Sequence, residues 1–262
     1  MQDITISLVQ TALVWEDKAA NLRQLSDKIA AVPAAAQIVV LPEMFSTGFS
    51  MKPGLLAEPM DGPTVTWMKE TAGRHRKILT GSIIAEDKGR YYNRMIWMLP
   101  NGVFYYYDKR HLFGYAGEDK HYSAGDKRLI VQVNGWKICL QVCYDLRFPV
   151  WARQKPDDPA GWYDMLIYVA NWPQRRSHAW KTLLQARAIE NQCYVAGLNR
   201  VGDDGNGVYH SGDSSVVGPL GNVLWEQADE EVIYTHTFRY EELEQIRAQF
   251  PFLRDADKFV LL

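Results

Sequence analysis

Two Asn-Gly dipeptides, Asn101-Gly102 and Asn134-Gly135, each sit between apolar runs of strand length, and each therefore marks a tight antiparallel hairpin. The first joins residues 95–99 to 103–107, and the second joins residues 129–133 to 136–142. Other segments alternate strand with helix. Residues 4–10, an amphipathic stretch at 15–32 and a short run at 38–41 form a βαβ opening. Gly62-Pro63 opens a second helix that reaches about His75, and residues 78–85 return to strand. Further on, 165–170 is a fully apolar strand and 179–191 a helix, with Leu183, Leu184, Ala188 and Ile189 apolar. Strands at 193–198, 214–217, 223–225 and 232–238, a helix at 241–249 and an apolar tail complete the pattern. Such a mixture belongs to the α/β class, and two packed sheets flanked by helices would cover both apolar faces.

No Pro/Ser-rich linker or charge block divides the chain, so residues 1–262 are expected to form one domain. With 29 basic and 31 acidic residues the net charge is −2, which leaves no basic stripe for nucleic acid. The cluster Arg74-His75-Arg76-Lys77 reads as solvated surface. An acidic residue at position 3 and the lack of a long apolar run at the start argue against a signal peptide or a membrane span, so a cytoplasmic protein is expected. Cys139, Cys143 and Cys193 are odd in number and lack C-x-x-C spacing, which suits a reducing compartment. No histidine stands at metal-ligand spacing from a cysteine, so no metal is expected.

Three segments carry chemistry. An apolar run ends at Pro42 and presents Glu43; an aromatic strand delivers Lys109; and the second hairpin's last strand runs straight into Cys143, followed by Tyr144-Asp145 and a turn into a helix near Phe148-Pro149. A cysteine at such an elbow meets backbone N–H groups that favour a thiolate and later an oxyanion. Cys139 lies in mid-strand and Cys193 opens an apolar strand, so both read as small core residues. His111, His178 and His210 are the alternatives for a papain-type base, but none occupies a recognisable motif, and the strand-end carboxylate is preferred.

Taken together, L-P-E-M-F at Glu43, D-K-R-H-L-F at Lys109 and C-Y-D-L-R-F-P at Cys143 resemble the Glu-Lys-Cys signature of the nitrilase superfamily of carbon-nitrogen hydrolases. The segments around residues 168–173, 185–192 and 212–214 resemble it too, and residues 171–173, 179–180 and 199–202 point toward the bacterial omega-amidase branch, which is similar to the Nit-type amidases. The resemblance implies a four-layer αββα sandwich and a homodimer, with the tail at about 250–262 packing on the partner subunit. It implies Glu43 as general base and acid, Lys109 and the Tyr144 N–H as oxyanion donors, Cys143 as nucleophile, and Glu118 as an orienting or proton-handling partner. No cofactor is implied. The expected reaction is hydrolysis of the terminal amide of a small dicarboxylate monoamide through a thioester. Arg147 leads as the cation for the substrate carboxylate, with Arg175 and Arg176 as second choices, while Phe45, Phe113 and Trp172 are candidate pocket walls. The same chemistry on an N-carbamoyl amino acid, aliphatic amide or nitrile, and a non-catalytic scaffold, are the other readings.

Overall fold

Alternation along the strands decides the layering. The structure is a computed structural model that describes residues 1–154 and 161–260. Its first half comprises β1 (Ile4–Gln10), α1 (Lys18–Ala30), β2 (Ile38–Val40), α2 (Pro53–Leu56), α3 (Pro63–His75), β3 (Ile78–Asp87), β4 (Arg90–Met98) and β5 (Phe104–Asp108). The second half comprises β6 (Leu129–Val133), β7 (Trp136–Val142), α4 (Pro149–Ala152), β8 (Met165–Ala170), α5 (Ser177–Asn191), β9 (Tyr194–Asn199), β10 (Val201–Asp203), β11 (Tyr209–Val217), β12 (Val223–Ala228), β13 (Val232–Phe238) and α6 (Tyr240–Gln249).

One sheet runs β13-β1-β2-β3-β4-β5, the other β10-β11-β9-β8-β7-β6 with β12 also paired to β11. Each has a parallel triplet at its centre, β1-β2-β3 and β7-β8-β9. Ile38 and Val40 face Ile138, Leu140, Met165, Ile167 and Val169 between the two sheets. The intervening residues point the other way: Val39 and Leu41 pack with Leu25, Ile29 and Met68 of α1 and α3, and Leu166 and Tyr168 pack with Trp180 and Leu184 of α5. The result is the αββα sandwich, with apolar faces of both sheets covered on both sides.

Several details depart from the sequence reading. β4 begins at Arg90, five residues earlier than expected, because Asn93 and Arg94 are buried polar positions that hydrophobic patterning does not detect. Arg94 is satisfied by Asp108 at 2.7 and 2.9 Å, and this pair clamps the end of β5 just before Lys109. Lys77 is buried rather than solvated, its ammonium donating to the carbonyls of Pro33, Ala34 and Ala36. The turn after β7 is a 3-10 helix over Cys143–Arg147, and only four residues of α-helix follow it. Ile189 of α5 is 54% exposed instead of joining the core. Of the apolar tail, residues 261–262 lie outside the described residues. Among those described, no helix is long and apolar enough to cross a membrane.

Candidate active site

The ends of the parallel triplets face each other, and the candidate residues gather there. Glu43 lies just beyond β2, Lys109 just beyond β5, Cys143 just beyond β7 and Asn171 just beyond β8. Local backbone geometry aims two of them. Met44 has φ 45° and Cys143 φ 44°, left-handed conformations that cost L-residues of order 1–3 kcal/mol and turn the chain sharply. Asp145 holds the second turn in place. Its carboxylate accepts from the Val142 N–H at 3.1 Å, the Tyr107 hydroxyl at 2.7 Å and the His111 N–H at 2.9 Å, and its Oδ1 lies 2.8 Å from His111 Nδ1.

Glu43 is fully buried and accepts from three neighbours. Its Oε1 accepts from Lys109 at 3.0 Å and Asn93 at 2.7 Å, and its Oε2 accepts from the Asn171 backbone N–H at 2.7 Å. Lys109 is shared with Glu118, at 2.9 and 3.1 Å, and Glu118 also accepts the Phe113 N–H at 2.6 Å. The Cys143 thiol lies close enough to Glu43 and Lys109 to feel both charges. Sequence reading thus finds four members of one cluster and omits two, Asn93 and Asn171. The second sits inside a segment that the resemblance already covers; the first lies in a strand whose polar half shows no apolar signal.

Electrostatics fix the resting protonation of the thiol. Burial, and then the charge of Glu43, push the Cys143 thiol well above its ordinary value, and the opposing pull of Lys109 does not win. The turn at Cys143 is a five-residue 3-10 helix rather than the start of an α-helix, and the balance of burial and charge favours the thiol over the thiolate. Burial opposes the charge of Lys109, yet Glu118 and Glu43 together outweigh it and hold the ammonium above its usual value. Burial raises Glu118 despite Lys109. Cys139 is raised to about 12 by burial, and Cys193 is raised likewise, so neither is reactive.

A cavity of about 310 Å³ opens from Cys143 to the surface. Phe113, Tyr144, Arg147, Trp172, Arg175 and Arg176 line it, as expected for a pocket. Phe45 does not. It packs in the outer core against Trp67 (ring centroids 5.9 Å apart) and the site of Gly81, where a Cβ would come within 2.9 Å; the aromatic wall on that side is Phe49. Arg147 lies over the Trp172 ring at 4.9 Å and Arg176 over the Phe113 ring at 5.2 Å. No acidic side chain pairs with Arg147, Arg175 or Arg176 among the described residues. Of the histidines, His178 is exposed, His111 is engaged by Asp145, and His210 lines the cavity. Among the described residues no cluster of His, Cys, Asp and Glu is placed to hold a metal ion.

The carbon-nitrogen hydrolase family model matches residues 5–248. The chain belongs to that family. This carbon-nitrogen hydrolase is 42% identical to Escherichia coli omega-amidase YafV, with all of both chains covered. It is 32% identical to Bacillus subtilis 2-oxoglutaramate amidase over 97% of this chain and 98% of the relative. Among solved structures, a superfamily protein from Xanthomonas campestris, described with an arsenic adduct in its active site, superposes with a TM-score of 0.97 at 44% identity over the full length of both chains. Yeast Nit3, of the nitrilase superfamily, superposes with a TM-score of 0.84 at 26% identity over 95% of each chain.

One prediction arises from the cavity wall. Burial, and then the nearby Arg200 guanidinium, pull His210 from 6.5 down to about 4, so it is neutral in the folded state near neutrality. The unfolded chain binds the proton more tightly between these values. This group's contribution is therefore fully present above about pH 6.5 and is lost as pH falls toward 4, about 3 kcal/mol in all. Urea midpoints across that window should fall on acidification, and His210→Gln should flatten the fall; an unchanged slope in the variant would refute it.

Proposed function

We propose that this enzyme is an omega-amidase that hydrolyses the terminal amide of a short dicarboxylate monoamide such as 2-oxoglutaramate, through a thioester on Cys143. The observation that carries the mechanism is the half-buried Cys143 thiol lining the cavity, raised well above its ordinary value by desolvation and by the charge of the Glu43 carboxylate, which Lys109, Asn93 and the Asn171 N–H hold in place. A thiol held neutral must lose its proton during attack, and Glu43 is the carboxylate whose charge acts most strongly on it. As Cys143 attacks the amide carbon, the Sγ–C bond forms and Glu43 takes the thiol proton. The Lys109 ammonium and the Tyr144 N–H, in the first turn after the elbow where amides lack partners, hold the charge that develops on oxygen. Collapse breaks the C–N bond, and Glu43 returns the proton to the departing ammonia. Water then attacks the thioester carbon with Glu43 again as base, and the acid leaves as Cys143 regains its proton. Glu118 holds Lys109 in place and shares its charge. The cycle balances without metal or organic cofactor.

The three arginines at the cavity support a substrate with an anionic far end, because a buried carboxylate requires a cation or several donors. Arg147 is the leading partner. The test is ammonia release from 2-oxoglutaramate and succinamate against butyramide, a nitrile and an N-carbamoyl amino acid. The carboxylate-bearing amides should be strongly preferred, and Arg147→Gln should raise their KM about 10- to 100-fold while leaving butyramide unaffected. Preference for the uncharged amide would refute the substrate assignment and keep the Glu-Lys-Cys chemistry. No Cys143-dependent release from any substrate would favour a non-catalytic scaffold.

The enzyme is further proposed to work in the cytoplasm as a homodimer. Ile189, Leu220 and Val223 are each 45% or more exposed, and a Cβ at Gly221 would come within 2.5 Å of Ile189, so these residues form one apolar surface. The tail at about 250–262, with Phe252 61% exposed, is assigned to the second copy. Light scattering should give twice the 30.0 kDa chain mass, and a monomer would refute the assignment.

A further inference from the structure

The substrate cavity has walls from two loops that are far apart in sequence, and one side chain lies against both. Phe49 and Met51 come from the loop after Glu43, whereas Asp204, Asn206 and Val208 come from the loop joining β10 to β11. Trp15 touches each at a glycine. A Cβ at Gly48 would lie 3.1 Å from the six-membered ring of the indole, and a Cβ at Gly205 would lie 2.3 Å from its five-membered ring. Gly48 has φ +75°, so conformation alone favours glycine there. Gly205 is not in the left-handed region, so glycine is required at that position only because the indole occupies the space.

The segment that carries Trp15 is itself anchored to both walls. Glu16 donates its N–H to the Thr47 carbonyl at 2.8 Å, and its carboxylate accepts from Ser50 at 2.6 Å and Lys52 at 3.0 Å. Asn21 ties Val14 to Ser46, accepting from the Val14 N–H at 2.8 Å and donating to the two carbonyls at 2.7 and 2.9 Å. On the other side, the Val201 N–H donates to the Thr11 carbonyl at 3.2 Å, and Ala12 forms a bridge with Val201. The loop beyond is stiffened from within: the Asp204 carboxylate accepts the N–H groups of Asn206 and Val208 at 2.8 and 3.0 Å. A rigid wedge between two braced walls fixes the distance between them.

We propose that Trp15 is a positioning residue that sets the width of the acyl-chain cavity and so limits the size of the amide accepted. The proposal rests on reading this cavity as the substrate site. Trp15 lines neither the cavity nor the Glu43-Lys109-Cys143 cluster, so it acts through the loops and not on the reacting atoms.

The experiment compares wild type, Trp15→Phe, Trp15→Ala, Gly205→Ala and the Trp15→Ala/Gly205→Ala double variant on succinamate, glutaramate and adipamate. Trp15→Ala should raise KM for the preferred amide about tenfold, leave kcat within about threefold, and shift kcat/KM toward the longest amide by tenfold or more, the worth of one to two methylenes in a fitted pocket. Trp15→Phe should restore most of the selectivity. Gly205→Ala should disturb KM with Trp15 in place and be nearly silent once the indole is gone, a coupling that a general loss of stability does not produce. Alkylation of Cys143 by iodoacetamide and by its bulkier N-benzyl derivative reads the same width without turnover, so it reports even if none of these amides is a substrate. The relative rate of the bulkier reagent should rise at least fivefold in Trp15→Ala. Unchanged size selectivity in both assays, or loss of kcat with KM and selectivity as in wild type, would overturn the proposal.

Discussion

Cys143→Ala should reduce amide turnover by at least about four orders of magnitude while the protein stays folded, because the substitution removes the only atom proposed to bond covalently to the acyl group. Alanine adopts the φ of 44° at this position no less readily than cysteine, so the elbow and its Asp145 brace should persist. The informative companion is Glu43→Gln. Desolvation and the charge of Glu43 raise the thiol well above its ordinary value, so nucleophilicity has to be generated at the moment of attack rather than stored as a thiolate. Glu43→Gln should therefore slow both turnover and alkylation of Cys143 by iodoacetamide, by about 10²- to 10⁴-fold, with Cys143 intact and the reagent in excess. A pre-formed thiolate would give the opposite result, with turnover lost but alkylation near the wild-type rate. Stopped-flow alkylation with mass detection at Cys143 separates the two.

The same chemistry explains which parts of this molecule are legible in the sequence. Strand ends that carry Glu43, Lys109 and Cys143 are visible because apolar runs stop abruptly at a polar residue, and the two Asn-Gly hairpins set the sheet edges that lead to the last two. The layering is legible for a similar reason. Parallel central strands such as Met165–Ala170 are apolar on both faces and must be covered twice. What is illegible is the polar interior. Asn93 bridges two carboxylates from mid-strand, donating to Glu43 at 2.7 Å and Glu118 at 3.2 Å, and nothing in the local pattern sets it apart from a surface residue. Phe45 shows the converse limit. An aromatic two residues from a catalytic candidate reads as pocket wall, but the turn at Met44 sends it into the outer core, and only packing against Gly81 and Trp67 decides this. Trp15 is a third case, since its role depends on two glycines brought together from distant parts of the chain.

Lys109→Met should be the most damaging substitution for stability, and its cost should depend on pH in a defined direction. The ammonium lies 3.0 Å from Glu43 and 2.9 Å from Glu118, and all three side chains are fully buried. Removing one member of a buried ionic cluster leaves uncompensated charge, at a cost of about 3–5 kcal/mol at neutral pH. In the wild type, Glu118 already sits above its ordinary 4.5 because burial outweighs Lys109, so its contribution to stability is fully present below about pH 4.5 and is lost as pH rises through the folded value. Without Lys109 the one charge that lowers Glu118 is gone, the folded value climbs further, and the loss extends to higher pH. Lys109 itself, held above 10.5 by Glu118 and Glu43 against the opposing effect of burial, stabilises the wild type throughout the acid and neutral range. The gap between variant and wild type should therefore be widest near pH 7–8 and narrow toward pH 4.5, where a proton on one of the two carboxylates replaces the missing cation. Urea midpoints measured across that range would show the convergence. A gap independent of pH would mean that the loss is one of packing volume, and that the two carboxylates do not sense each other through the space Lys109 fills.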